Sequence, residues 1–395
     1  MSSEVASPRG TRRMWSRVEA PARGERGRTL SFPDELRPPP HGAGAPIVVI
    51  AMERCPEELW ERLCRADPTC TFYQTPAWHR IAARHYRTES APLLFRPGRA
   101  TVCLPLQRKR VWGVERYFSP FGTYTAPICA SKLGQEEIAS IVGELARLNL
   151  HLVSSPFTQN PIVVGEPTIS TVQVIDLESL DPENPMRDWD EGQRRRVRVA
   201  RRNGVVVRTA ETRAEWDRYY ELYRLSLERW GGRATVAYPR ALFDDIRASL
   251  SDQPCVRLWV AEHGGEIGAG YLAFYHNQHV VPWHGAADAR FFRLGVTQLL
   301  FLAQITDALR RGYSVFDLTG SSGLPGVESF KSRFGTRSVE FASSVHWTGP
   351  LGVLARCRDW ARARLRRPSS VSRCLGLSLT SALVAIPTWK AGGLI

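Results

Sequence analysis

Lysine is almost missing from this chain of 395 residues. Only Lys109, Lys132, Lys331 and Lys390 are present, and the rest of the 53 basic side chains are arginine. An ammonium and a guanidinium serve different geometries, so each retained lysine is informative. None of the eight cysteines, Cys55, Cys64, Cys70, Cys103, Cys129, Cys255, Cys357 and Cys374, lies at C-x-x-C spacing from another. That scatter excludes a zinc framework and predicts buried, reduced thiols; no metal is expected. No G-x-S-x-G elbow and no Cys/His pairing suggest a covalent nucleophile. The opening forty residues hold no apolar signal core, and Leu375–Pro387 is apolar but too short to cross a bilayer. A cytoplasmic protein is the expectation.

What is present is a soluble, globular composition, 43% hydrophobic with a mean hydropathy of −0.26, long enough for two full cores. The formal net charge of +14 favours anionic partners: phosphate-bearing substrates, nucleic acid or an acidic membrane surface. Residues 1–45, rich in Arg, Pro, Gly and Ser and without periodicity, read as a disordered basic arm.

The second half is the more legible. Val205–Thr209 reads as a strand, and Thr212–Trp230 has helical spacing at Trp216, Tyr219, Tyr220, Tyr223 and Leu227. A helix follows from Pro239 to about Leu250. Three strands, Val256–His263, Glu266–Tyr275 and His279–Gly285, are joined at Gly264-Gly265 and around Asn277. Then come the helix Leu294–Arg311, closed by Gly312, the strand Tyr313–Leu318, a short helix Gly326–Phe334 and the strand Ser338–Trp347. The first half repeats this order more loosely. It opens on a strand at Ile47–Ala51 and helices at Pro56–Ala66 and Pro76–Tyr86. Strands at Leu93–Arg96, Ala100–Gln107 and Val111–Phe118 precede a helix at Gln135–Leu148 and strands at His151–Ser155 and Val172–Leu177. A mixed α+β (α/β) fold of two tandem units is the expectation, each a mixed β-sheet flanked by helices. The divisions fall at 46–180 and 186–348, with a basic amphipathic and apolar tail at 349–395.

Four segments carry a resemblance. They are Thr71-Phe-Tyr-Gln-Thr-Pro-Ala-Trp78, the Arg-rich Arg194–Gly204, Tyr313-Ser-Val-Phe-Asp-Leu-Thr-Gly320 and Gly326-Val-Glu-Ser-Phe-Lys-Ser-Arg-Phe-Gly335. In this order they resemble the FemABX-like branch of the GNAT acyltransferases, over roughly Ile47 to Trp347. The resemblance implies tandem GNAT domains. It also implies transfer of an acyl or aminoacyl group, from acyl-CoA or aminoacyl-tRNA, to an amine of a cell-envelope precursor or other small acceptor. A non-catalytic tandem-GNAT scaffold or an RNA-binding protein stands as the alternative.

Such chemistry needs a held amine, a stabilised oxyanion and a neutralised leaving group. Lys331 matches the family's Phe-Lys motif and is the leading catalytic candidate, with Phe330 beside it as packing or substrate contact. His284 could take the amine proton, with Trp283 next to it, and Asp317 could orient the loop or the amine. Arg233, in a Gly-rich loop, suits acceptor phosphate. Arg194, Arg198, Arg201 and Arg202 share one helix face, which suits a nucleic-acid backbone or a lipid diphosphate. A phosphate-bearing or lipid-linked acceptor, tRNA and the inner membrane face, through the tail beyond Leu351, are the partners this allows; nothing points to DNA. Two departures matter. Where the peptidoglycan-type pattern carries Lys and an acidic residue, this chain has Ala82 and Ser155, with Arg80 or Arg84 near the former. The coenzyme A loop of ordinary GNAT enzymes falls at Arg290–Gly295, with Arg293 at its first Gly position.

Overall fold

The computed structural model describes residues 52–349, apart from 112, 121–122, 232–236, 251–252 and 322–324, together with 352. The basic arm, the strand expected at Ile47–Ala51, Arg233 and nearly all of the tail fall outside the described residues.

The first half runs β1 (Glu53–Arg54), α1 (Glu57–Ala66), α2 (Pro76–Tyr86), β2 (Glu89–Ser90), β3 (Leu93–Phe95), β4 (Val102–Leu104), β5 (Gln107–Val111), β6 (Val114–Phe118), α3 (Gln135–Leu145), β7 (Leu150–Val153) and β8 (Pro167–Asp176). The second half runs α4 (Glu191–Arg202), β9 (Val206–Thr209), α5 (Arg213–Trp230), α6 (Arg240–Leu250), β10 (Val256–His263), β11 (Glu266–His276), β12 (His279–Ala287), α7 (Val296–Arg311), β13 (Val315–Gly320), α8 (Pro325–Ser332) and β14 (Arg337–His346). Local chemistry sets several ends. Thr212 and Glu215 form a capping box that starts α5. Gly264 and Gly265 both take positive φ, the conformation a two-residue hairpin turn requires.

Both expected halves are present, but their sheets are fused. Eleven strands form one sheet in the order β2-β5-β6-β7-β14-β8-β13-β12-β11-β10-β9, beside a three-stranded sheet β1-β3-β4. The small sheet is an extension of the large one. β3 pairs with β4 and β2 with β5 in one unbroken register, and the ladder lapses where Pro92 and Pro105, which lack an N–H, fall between them.

The fused sheet is palindromic. Each half contains one parallel pair, β6 with β7 and β12 with β13. Each half's last strand is inserted in the other: β14 lies between β7 and β8, and β8 between β14 and β13.

The halves also share a core. Phe72, Tyr73 and Trp78, from the segment that opens α2, meet Phe274 and Trp283 of β11 and β12. Phe72 stacks on Phe274 at 4.4 Å, and Trp78 lies 5.1 Å from Phe274 and 5.4 Å from Trp283. Pairs of this kind contribute about 0.5–1.5 kcal/mol each beyond their buried area. Asn277, in the tight turn between β11 and β12 at φ 45, donates its side-chain amide to the carbonyls of Cys64 (2.8 Å) and Asp67 (2.7 Å) at the end of α1. Cys55, Cys64, Cys70 and Cys103, scattered in sequence, gather in one apolar cluster under α1 and remain free thiols. Among the described residues no group of side chains is placed to hold a metal ion.

Candidate functional site

The two parallel pairs begin alike and end differently. In the first half β6 and β7 are matched at Tyr117↔Leu150 and Phe118↔His151. The chain then keeps stitching them: Ser119 N–H bonds the His151 carbonyl (3.1 Å), Thr125 N–H the Val153 carbonyl (2.8 Å) and Ser155 N–H the Thr125 carbonyl (2.8 Å). In the second half the described ladder between β12 and β13 ends after His279↔Val315 and Val280↔Phe316. Beyond it β12 stays with β11, and β13 stays with β8. The second half therefore carries an open V, with Asp317 at its vertex.

Asp317 is fully buried. Its Oδ1 accepts the Thr319 N–H at 2.7 Å, and its Oδ2 has no partner among the described residues. Burial pushes its carboxyl up to about 7, against the pull of the Thr319 N–H and the Lys331 charge. The register with β8 shifts between Asp317 and Gly320, and Thr319 has φ 64. A β-branched residue in the left-handed region is strained, and such strain is concentrated at functional sites. The kink turns the Thr319 and Gly320 carbonyls toward α8, where Lys331 Nζ donates to Gly320 O at 2.8 Å and to Thr319 O at 3.4 Å. Lys331 is 9% exposed, and burial lowers its ammonium to about 8, partly offset by Asp317.

Two phenols from the first half share a buried cluster with Val174, the residue paired with Asp317 across β8 and β13. Tyr73 and Tyr124 are both fully buried with ring centroids 5.8 Å apart, and neither hydroxyl has a partner among the described residues. Burial, and next the Asp317 charge, raise both phenols well above their usual range.

Of the other candidates, His284 is buried in an aromatic box of Tyr219, Tyr223, Tyr238 and Phe243. The Tyr219 hydroxyl donates to the His284 carbonyl at 2.7 Å, which leaves its oxygen to accept from the ring Nδ1–H. Burial lowers the imidazole to about 3, so it stays neutral. Trp283 packs in the shared core, while Phe330 turns to the opposite core against Phe301 and Phe334. Arg194 and Arg198 are paired with Glu191 on the outer face of α4. Arg80 and Arg84, the residues near Ala82, are engaged with Glu57 and Asp245. The structure thus brings Asp317 and Lys331 together. It adds Tyr73 and Tyr124, to which no motif or spacing assigns a role.

The loop where ordinary GNAT enzymes hold coenzyme A pyrophosphate is built differently. Residues Ala289–Leu294 form a 3-10 helix, which commits their backbone amides internally. The Arg290 N–H is taken by the Asp288 carboxylate (2.9 Å) and the Gly295 N–H by the Phe292 carbonyl (3.2 Å). Helix α4 then lies across the start of α7. Arg196 Nη1 bonds the carbonyls of Phe292 (3.2 Å) and Arg293 (3.4 Å), and Gln193 pairs with Gln298 at 2.9 Å. A Cβ on Gly295 would stand 2.3 Å from the Arg196 carbonyl oxygen. Oriented free amides are what a helix N-terminus offers a phosphate, and here those of Arg290 and Gly295 are taken and α4 lies against Gly295. The Arg290 and Gly295 amides are therefore closed to a coenzyme A pyrophosphate at this position.

The buried carboxyl predicts a pH signature. A carboxyl raised from 3.8 to about 7 favours its neutral form in the folded chain. Its contribution to stability is full at low pH and is lost as pH rises through that window. Wild-type Tm should fall between about pH 4 and 7, and Asp317→Asn should flatten that slope. Parallel slopes in the two proteins would show that Asp317 titrates normally.

Residues 191–332 match the family model of a GNAT acetyltransferase domain. The fold resembles the crystal structure of FemX, with a TM-score of 0.55 at 11% identity, over 74% of this chain and 97% of FemX. The C-terminal domain of a putative lysylphosphatidylglycerol synthetase from Agrobacterium fabrum aligns with a TM-score of 0.47 at 14% identity, over 76% of this chain and 96% of that one. L-PGS from Bacillus licheniformis aligns with a TM-score of 0.43 at 12% identity, over 65% and 85% of the two chains. No curated protein gives a sequence match.

Proposed function

From a chain that carries a GNAT acetyltransferase domain within a FemX-like fold, we propose an N-acyltransferase that moves an acyl or aminoacyl group from an activated donor onto an amine. The observation that carries the reading is Lys331, a cation held by two backbone carbonyls at the kinked end of β13, beside the open V of the matched half. When the amine nitrogen attacks the donor carbonyl, the new C–N bond puts negative charge on the carbonyl oxygen. The C–O or C–S bond to the leaving group then breaks, and the leaving atom must be neutralised. A fixed ammonium meets either charge without reorganising. Tyr73 and Tyr124 of the first half share a buried cluster with Val174 beside Asp317, so both halves contribute to the proposed site.

The covered start of α7 favours an aminoacyl ester such as aminoacyl-tRNA over a coenzyme A thioester as donor. The net charge of +14 favours an acceptor that bears phosphate or is linked to lipid, of the cell-envelope kind. Arg233, Arg194 and Arg198 are the proposed phosphate contacts, in a protein that works in the cytoplasm or against the inner face of the membrane. Among the described residues no helix is long and apolar enough to cross a membrane.

The test is mass spectrometry of product after the full-length protein is incubated with mixed aminoacyl-tRNA or with a panel of acyl-CoAs, each with amine acceptors with and without phosphate. Transfer from the tRNA pool supports the whole reading. Transfer from acyl-CoA alone keeps the chemistry and overturns the donor. Tight RNA binding with no turnover from either donor replaces the reading with a scaffold.

A further inference from the structure

Three polar atoms at the crease are buried without partners among the described residues: Asp317 Oδ2, Tyr73 OH and Tyr124 OH. Each such atom costs about 1–3 kcal/mol when nothing satisfies it. Val174, which pairs with Asp317 across β8 and β13, belongs to the same buried cluster as Tyr73 and Tyr124, and orphans gathered in such a place are tolerated where a ligand completes them. They come from both halves of the chain, and the Asp317 charge reaches both phenols. We propose that Asp317, Tyr73 and Tyr124 form a pocket for a primary ammonium group, and that Asp317 takes a proton from it.

The chemistry selects the ligand. The three orphaned oxygens can each accept a hydrogen bond, and a primary ammonium offers three N–H donors. A carboxylate or phosphate would be repelled by Asp317, and an alcohol supplies one donor. The proton balance closes within the pocket: R–NH3+ and the Asp317 carboxylate become R–NH2 and the neutral acid, and the nitrogen lone pair is freed for attack. The groups that interact with the Asp317 charge are the Lys331 ammonium on α8 and the two neutral phenols, with the Thr319 N–H on its own strand. Lys331 lowers the affinity of Asp317 for the proton against a burial that raises its carboxyl to about 7, so the carboxylate that receives the proton is the major form above that pH.

The pocket rests on the transfer reading only for which molecule brings the amine, so it is tested without turnover. Full-length protein is titrated with methylammonium chloride, and separately with methanol, by ligand-observed NMR between pH 5 and 9. Saturable binding of methylammonium that strengthens through about pH 7, at least tenfold over methanol, is expected. It should fall at least tenfold in Asp317→Asn and severalfold in Tyr73→Phe and Tyr124→Phe, each checked for a wild-type melting transition. Equal binding of methanol and methylammonium, or full binding by Asp317→Asn, assigns the three atoms to structural water and overturns the proposal. Binding as expected in a protein that transfers nothing leaves the pocket standing and removes the transferase reading.

Discussion

Replacing Lys331 by alanine is expected to lower the transfer rate about 100- to 1,000-fold, the usual cost of losing one oriented donor from an oxyanion site. The effect should appear in kcat rather than in the acceptor KM. The negative charge that Lys331 meets exists only as the tetrahedral state forms, so its loss removes a contact absent from the ground state. The ammonium is also pinned: it donates to Gly320 O at 2.8 Å and to Thr319 O at 3.4 Å. Lys331→Arg should rescue only partly, because a planar fork cannot occupy the place of a compact ammonium between two carbonyls. Removing the cation also removes the charge that holds the Asp317 carboxyl down, so the pH at which the rate rises should move upward. A structural role would lower stability without that displacement. Steady-state kinetics across pH on the Ala and Arg variants decide the matter, and an unchanged kcat in the Ala variant takes Lys331 out of the chemistry.

The second large effect concerns the halves. Expressed separately as residues 46–180 and 186–348, neither is expected to show a cooperative melting transition, whereas the two together should restore one. In the intact chain β14 lies between β7 and β8, paired from Arg337↔Val174 to Ser344↔Pro167 on one side and from Ser343↔Val153 to His346↔Leu150 on the other. Cutting the chain strips β7 of its neighbour, leaves β13 without β8, and exposes long unpaired edges that invite aggregation. It also opens the shared core at Phe72, Trp78, Phe274 and Trp283. Burying two large aromatics from each side is worth several kcal/mol at about 25 cal/mol per Å2, which is a large part of an ordinary domain's stability. A sharp calorimetric transition from residues 186–348 alone would show that the exchange of strands is not required for folding.

Most elements were legible because their signals are local. The apolar spacing of Trp216, Tyr219 and Tyr223, the glycines at 264–265 and the stop at Gly312 announce α5, the β10–β11 hairpin and the end of α7 without reference to anything distant. The prolines at 92 and 105, which bend one hairpin into two sheets, are visible too, but the expected single strand at Ala100–Gln107 did not anticipate the division into β4 and β5. At the site, Lys331 and Asp317 were named from a motif and a strand end. His284 and Trp283 were named from a strand position as well. Which side of a strand faces the crease depends on a bulge between Leu272 and Ala273, and no composition rule reports it.

The sequence by itself determined the element order, the doubling of one topology and the retention of a lysine where arginine is the rule, since each follows from neighbours within a turn or two. Tertiary structure alone decided that the two sheets are one, because strand exchange is a pairing between residues far apart in the chain, such as Arg337 with Val174. It alone set Tyr73 and Tyr124 beside Asp317, because burial and lost solvation, not spacing, give those three groups their chemistry. And it alone laid α4 over the start of α7: the arginine run announces a basic helix, but the carbonyl of Arg196 against Gly295 depends on the path of the chain between the halves.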